Sequence, residues 1–413
     1  MMLDLAYSRA HDPPMDKTLA SVPRTSQLEG RSRVAVAACP SYAPDSVKKA
    51  VAELADATGG PAAWIQPGQT VLLKPNLFSP HPPEDAVTTH PEIVRQMIRL
   101  CVQAKVGRIW VGDSPVGLTP EAELWSRTGM TRAVEGTPAE LKSWAVKQTP
   151  VTCDGDVLAL PEWYSQVDVV ISLAKLKAHC LTTLTGALKN VYGLVNGPAK
   201  SQFHLKYPSP VAMSGFLVRV FAALKPHLTI MDAVTAMEGN GPAHGHPRPV
   251  GVLLASRDAV ALDAVVCSAL AISPRSVPMI RMAADRGLGR MEEPEIDRVG
   301  SGADQLWKAR LRPSLSRYIR HIPEWAYALT PHLLRLRPGI REAMCVRCGT
   351  CAAICPRKAI REEGSERFPR ISQSDCIGCF CCLESCPRSA IVARLYLGTL
   401  LRLGQKGRQE ARP

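Results

Sequence analysis

CVRCGTCAAICPRKAI (345–360) and CIGCFCCLESCPRSAI (376–391) are two copies of one pattern, identical at eight of 16 aligned positions. Each copy places three cysteines two residues apart, then a fourth three residues later, followed by proline. Three closely spaced thiolates can wrap one corner of an iron–sulfur cube, and the fourth can be carried over to a second cube. The spacing therefore predicts two [4Fe–4S] clusters in a small α+β ferredoxin-like fold. Cys345, Cys348, Cys351 and Cys386 are expected to ligate one cluster, and Cys376, Cys379, Cys382 and Cys355 the other. Zinc sites pair two CxxC units across a spacer, which does not describe this run. Cys381 aligns with Thr350 and is expected not to be a ligand. Arg357 and Arg388 each follow the proline, either softening cluster charge or standing solvated.

The chain has 413 residues, 46% of them hydrophobic and 21% charged, enough for two or three domains with a sizeable core. Of its net charge of +13, residues 305–344 supply +6, residues 387–413 supply +5, and residues 1–304 only +1. A basic excess confined to two segments argues against nucleic acid as the partner. No uncharged run reaches the roughly 18 residues of a membrane span. The first residues hold acids and prolines rather than an apolar signal core, so the expected location is cytoplasmic. There, clustered cysteines point to metal rather than disulfides.

Upstream of the repeat, strands and helices alternate. RVAVAA (33–38), TVLLKPN (70–76), RIWVGD (108–113), VDVVISL (167–173), HLTIMD (227–232) and VGVLLAS (250–256) read as strands. Helical patterns fall at 45–57, from Pro91 to Ala104, after Pro120, and near 182–195, 211–224, 259–271 and 276–286. This order predicts an α/β domain, layered around a mostly parallel sheet, with ligands bound at the carboxyl ends of strands. The expected organisation is a lead-in over 1–30, the α/β domain over 31–304, a basic amphipathic linker over 305–340, the ferredoxin module over 341–392 and a basic tail over 393–413, beginning as an amphipathic helix.

Polar residues gather at the predicted strand ends: Lys74 and Asn76, Asp113, then Lys175, Lys177 and His179. Farther on, a Thr- and Gly-rich turn precedes Lys189 and Asn190. That turn reads either as a helix start offering N–H groups to an anion or as a basic loop with a capped helix. Glu238 opens the loop EGNGP, which departs from a dinucleotide fingerprint. His244 and His246 alone underdetermine a metal site. The linker's alternating Arg and apolar residues suit either interdomain packing or peripheral contact with an anionic membrane.

VLLKPNL, VGDSP, ISLAKLKAHCLTTLTGALKNVYGLV, MDAVTAMEGNGP and SRDAVALDAVV, in that order, resemble domain-of-unknown-function family 362 over about residues 33–275. Some members of that family carry a two-cluster ferredoxin module at the C-terminus. The resemblance marks Lys74, Asn76, Asp113, Lys175, Lys177, His179, Lys189, Asn190, Asp232, Glu238, Gly239, Gly241, Asp258 and Asp263 as family-type positions, Asp258 also reading as a helix cap.

Together these readings predict an iron–sulfur oxidoreductase. Low-potential electrons from an external donor of ferredoxin or flavodoxin type would pass through two clusters to an anionic small molecule. Lys74, Asn76, Lys175, Lys177, Lys189 and Asn190 would bind it, and Asp113, His179 or Glu238 would supply protons. The competing reading is an electron carrier or assembly factor without substrate chemistry. A closed pocket beside a cluster separates the two.

Overall fold

The computed structural model describes residues 30–116, 119–239, 241–312, 314, 334–361 and 368–397. Its strands are β1 (Ser32–Ala38), β2 (Thr70–Pro75), β3 (Arg108–Val111), β4 (Ala139–Leu141), β5 (Gln148–Cys153), β6 (Asp156–Pro161), β7 (Val169–His179), β8 (Thr183–Thr185), β9 (Leu228–Glu238), β10 (His246–Ser256), β11 (Ile296–Val299), β12 (Leu334–Ile340), β13 (Ile360–Arg361), β14 (Arg370–Ile371) and β15 (Ile391–Leu397).

One sheet runs β11-β1-β10-β9-β7-β2-β3-β4, with β8 folded back on β7. Pairing is parallel from β9 through β7, β2 and β3 to β4, and between β1 and β11. β10 runs antiparallel to β1 and β9. Strand alternation sends residues to two cores. Val71, Leu73, Ile171 and Leu173 face one, shared with the helices Pro44–Ala57 and Pro91–Gln103. Leu72, Val170, Ala174 and Leu176 face the other, shared with Pro210–Ala223 and Ala259–Ala269. β2 is buried along its whole length, as a strand covered on both faces should be.

β7 runs six residues beyond the expected end at Leu173, so Lys175, Lys177 and His179 belong to the strand rather than a loop. Internal partners replace the water these side chains give up, and the strand continues. β9 likewise continues to Glu238 and pairs antiparallel with β10, which starts at His246, while Met237 stays in register with Lys177 of β7. The helix expected near 182–195 is instead β8, one helical turn (Ala187–Asn190) and a 3₁₀ turn.

In the C-terminal module, β12 pairs antiparallel with β15, and β13 with β14. β12 extends the module upstream of the expected boundary at 341, because Leu334–Ile340 alternates with a strand's period. The tail, expected to open as a helix, opens as β15. Its remainder, most of the linker and the lead-in lie outside the described residues. The sequence repeat is also a backbone repeat. Arg347, Gly349 and Lys358 take positive φ, and so do their counterparts Gly378, Phe380 and Ser389.

Candidate functional site

Two cavities open inside the module, and the cysteines sort between them crosswise. One is lined by Cys345, Cys348, Cys351 and Cys386. The other is lined by Cys376, Cys379, Cys382 and Cys355. Each run of three thus shares its cavity with the fourth cysteine of the other copy. Ala359 N donates to Cys355 Sγ at 3.2 Å, and Ala390 N donates to Cys386 Sγ at 3.2 Å. These are equivalent bonds in the two copies, of the kind that stabilises thiolates around a cluster. Among the described residues, no three His, Cys, Asp or Glu side chains converge where one metal ion would sit. Each set of thiols encloses a space rather than a point, which fits a cubane and not zinc.

A third cavity, about 640 Å³ with its mouth, lies between the α/β domain and the module. The domain contributes Lys74, Asn76, Asp113, Ser114, Thr185, Lys189, Asn190, Tyr192, Lys200 and His204. The module contributes Ile354, Cys381 and Glu384. Cys381 also borders the cavity of Cys376, Cys379, Cys382 and Cys355, so one side chain separates the two spaces.

The cavity floor is held tightly. Lys74 Nζ lies 2.8 Å from Asp113 Oδ1, and Leu77 N donates to Asp113 Oδ2 at 2.7 Å. Asn76 Nδ2 donates to Asn190 Oδ1 at 3.0 Å, and Asn190 Nδ2 donates to Ser172 Oγ at 2.9 Å. Gly193 packs over this pair, where a Cβ would collide with Asp113 Oδ1 and Lys74 Nζ. The other cations are less committed. Burial pushes Lys200 down to about 7, against the pull of Asp113, while its Nζ donates to Ser114 O. Burial also lowers Lys189, with Glu384 opposing, and among the described residues Lys189 makes no hydrogen bond or ion pair. His204, 6% exposed, has no hydrogen-bond partner among them, and Thr185 Oγ1 is buried and unpartnered.

Glu384 ties the module to the domain. His179 Nε2 lies 3.2 Å from Glu384 Oε1, while His179 Nδ1 accepts from Leu181 N and Thr182 N. Burial holds His179 down at about 4, so the ring is neutral. Burial alone would raise the Glu384 carboxyl, but the His179 hydrogen bond and the Lys189 charge bring it to about 2. Beside this contact, His244 Nε2 meets Leu383 O at 2.8 Å.

The cavity therefore gathers Lys74, Asn76, Asp113, Lys189 and Asn190 from the expected residues, and leaves out four. Lys175 is fully buried against Asp232 Oδ2 at 2.8 Å and Tyr42 Oη at 3.0 Å. Lys177 donates to Asn76 Oδ1 at 3.0 Å and Val87 O at 2.8 Å, behind the cavity wall. His179 stands behind Glu384. Glu238 lies elsewhere, accepting from Arg312 N at 3.0 Å. The anion reading of the Thr- and Gly-rich turn also fails. Asp263 accepts from Ala187 N and Leu188 N at 2.7 and 3.0 Å, so the chain's own carboxylate fills that position. Asp258 caps the helix Ala259–Ala269, its side chain accepting from Val260 N and Ala261 N.

Sequence reasoning missed Lys200, His204 and Glu384, and met Thr185 only as part of the Thr- and Gly-rich turn. Lys200 and His204 lie four residues apart in the helix Gly197–Lys206, a spacing that puts them on one face. Glu384 was visible as a departure from the repeat, since its counterpart is Ala353.

The profile of a domain of unknown function (DUF362) matches residues 71–268, and that of a 4Fe-4S dicluster domain matches residues 337–387. A thylakoid-associated protein of Synechocystis sp. is 35% identical over 261 residues, covering 60% of this chain and 77% of that protein. A solved Thermotoga maritima protein overlaps with a TM-score of 0.33 at 11% identity, over 54% of this chain and 56% of that one. The lactate racemase apoprotein from Thermoanaerobacterium thermosaccharolyticum overlaps with a TM-score of 0.38 at 13% identity, over 59% and 57%. The chain spans just over half the length of those two structures. With five ordered segments, a matching profile and a relative covered over most of its length, this chain belongs to the DUF362 family, and it carries a C-terminal 4Fe-4S dicluster domain.

Proposed function

We propose that this chain is an iron–sulfur oxidoreductase that passes electrons from two [4Fe–4S] clusters to an organic anion bound between domain and module. The observation that carries the reading is the shared wall at Cys381, with a thiol-lined cavity on one side and a lysine-rich one on the other. Cys345, Cys348, Cys351 and Cys386 would hold one cluster, and Cys376, Cys379, Cys382 and Cys355 the other. Bound clusters supply electrons one at a time.

The chain's own side chains do the rest. Lys189, whose ammonium has no hydrogen-bond or ion-pair partner among the described residues, is the anchoring cation for the anion. Lys74 is committed to Asp113 and, with the locked Asn76–Asn190 amides, forms a preorganised floor. Thr185 and His204 offer unfilled hydrogen-bonding capacity. Lys200, poised near neutrality, can release a proton as charge builds on the ligand. Tyr192 and Ile354 exclude water and suit a carbon skeleton. A carrier without substrate chemistry has no need of a cation-rich cavity against a cluster wall.

Peripheral membrane association is a second reading, favoured by the name of the Synechocystis relative. Among the described residues no helix is long and apolar enough to cross a membrane. Flotation with anionic vesicles tests this.

The main test is titration of small carboxylates and phosphate esters into anaerobically purified protein, followed through the cluster spectrum. Lys189→Ala should weaken binding about tenfold to hundredfold, the equivalent of a charged hydrogen bond of about 1.5–3 kcal/mol. Equal affinity in both proteins would leave only the carrier.

A further inference from the structure

The first copy of the repeat turns an apolar and basic face outward. Met344 and Val346 are 41% and 54% exposed on either side of Cys345. Of the eight repeat cysteines expected as ligands, Cys348 is the exposed one. Arg341 and Arg388 are exposed in the same region, where Glu342 is the one exposed acid among the described residues of 341–348 and 386–390. Val346, Arg347 and Arg388 line the same cavity as the first set of four thiols. The printed contacts of the α/β domain with the module fall elsewhere, at Leu383 and Glu384 of the second copy.

A small apolar centre ringed by cations suits a brief, oriented encounter. The cations steer an oppositely charged partner, and the apolar side chains desolvate a limited contact. We propose that this face is the port through which electrons enter, and that its occupant is a small acidic one-electron carrier protein. The inference rests on the electron-transfer reading of the module, but not on the ligand of the interdomain cavity. In each encounter the carrier's reduced centre gives up one electron and is oxidised. Cys345, Cys348, Cys351 and Cys386 would hold the cluster that takes up that electron, with no bond or proton moving. Entry at this set and delivery beyond Cys381 place the two partners at opposite ends of the cysteine array. A membrane surface fits this face less well: two exposed apolar side chains are not the continuous apolar stripe that inserts into lipid.

The test is calorimetric titration of the cluster-loaded, full-length chain with an oxidised acidic [2Fe–2S] ferredoxin, so that binding is read without turnover. Binding is expected at low salt and should weaken at least about tenfold in roughly 0.5 M salt, where exposed charges are screened. Arg388→Glu should raise Kd about tenfold or more with iron content unchanged, as expected for a reversed interfacial charge. Arg341→Glu, outside the cluster cavity, should do the same, and it decides the matter where Arg388→Glu loses iron. Lys189→Ala should leave this Kd unaltered, whatever happens to the cavity's ligand. Salt-independent binding, or equal Kd in wild type and Arg341→Glu, overturns the port. So does flotation with phosphatidylglycerol vesicles that Arg341→Glu abolishes while ferredoxin binding persists.

Discussion

The two copies of the cysteine repeat share a backbone and differ in what they face. Ala353 in the first copy is exposed, whereas its counterpart Glu384 is buried against His179. Gly349 corresponds to Phe380, which is 3% exposed in the module core. Val346 and its counterpart Ile377 each border the thiol cavity of their own copy, but Val346 is 54% exposed and Ile377 half-buried. Thr350 corresponds to Cys381, the wall between that cavity and the interdomain one. The thiols and the turn conformations are retained, although the residues at the turns are not. The differences leave the Met344–Cys348 stretch of the first copy exposed and set Glu384 of the second against the α/β domain, where Ile354 of the first copy joins it at the interdomain cavity. Duplication thus gives two equivalent cages, and divergence of a few outward residues gives them different neighbours.

The largest expected effect breaks the equivalence at the crossing cysteine. Cys355→Ser belongs to the first copy by sequence but should damage the cluster nested in the second, removing up to half of the iron. Iron and sulfide analysis with electron paramagnetic resonance would show which centre is lost. Cys381→Ser should retain both, and a cluster lost there but not in Cys382→Ser would reverse the register.

Next comes the pair of non-equivalent helix ends. Glu384→Ala leaves His179 Nε2 buried without its carboxylate and should cost about 1–3 kcal/mol, the penalty for an unsatisfied buried polar group. Ala353→Ser, at the exposed equivalent, should stay within about 0.5 kcal/mol. Denaturant titration of the two loaded proteins compares them, and equal losses would remove the distinction between docked and free copies.

The smallest effect is a difference in pH response between the two ends. Burial brings Lys200 to about 7, so its positive charge is present below that pH and lost above it. Anion affinity in the interdomain cavity should therefore fall as pH rises through about 7, and Lys200→Met should flatten the fall. The sign for stability is opposite. Between about 7 and the unfolded value near 10.5 the unfolded chain holds more protons at this site, so its contribution to stability rises with pH. Carrier binding at the arginine face should show no such step, since arginine keeps its charge throughout.

Much of this arrangement was legible in the sequence. Strands beginning near 33, 70 and 108 were marked by short apolar runs, and the cysteine spacing marked the crossed thiol sets. The extension of β7 was not legible. Lysine inside a strand reads as its end unless the distant Asp232 and Asn76 that receive it are known. Glu238 looked functional because it follows a strand, yet β9 itself continues to it, pairing it with His246, and its carboxylate accepts from Arg312 N. The interdomain cavity was only half readable. Lys74 and Asp113 sit at predictable strand ends and Asn190 in the helical turn Ala187–Asn190, but Ile354, Cys381 and Glu384 arrive through docking, which no local pattern encodes.

β12 and β15, the first and last strands of the C-terminal module, lie side by side and antiparallel from Leu334–Leu397 to Ile340–Ile391. The chain therefore enters and leaves the module at one edge. A segment with adjoining ends can be gained, lost or exchanged as a cassette without rerouting the rest of a fold. A relative without the cysteines would not need rebuilt α/β layers. It would need new cover for the buried faces of His179 and Cys180, and those two positions are where the history of the fusion should be written.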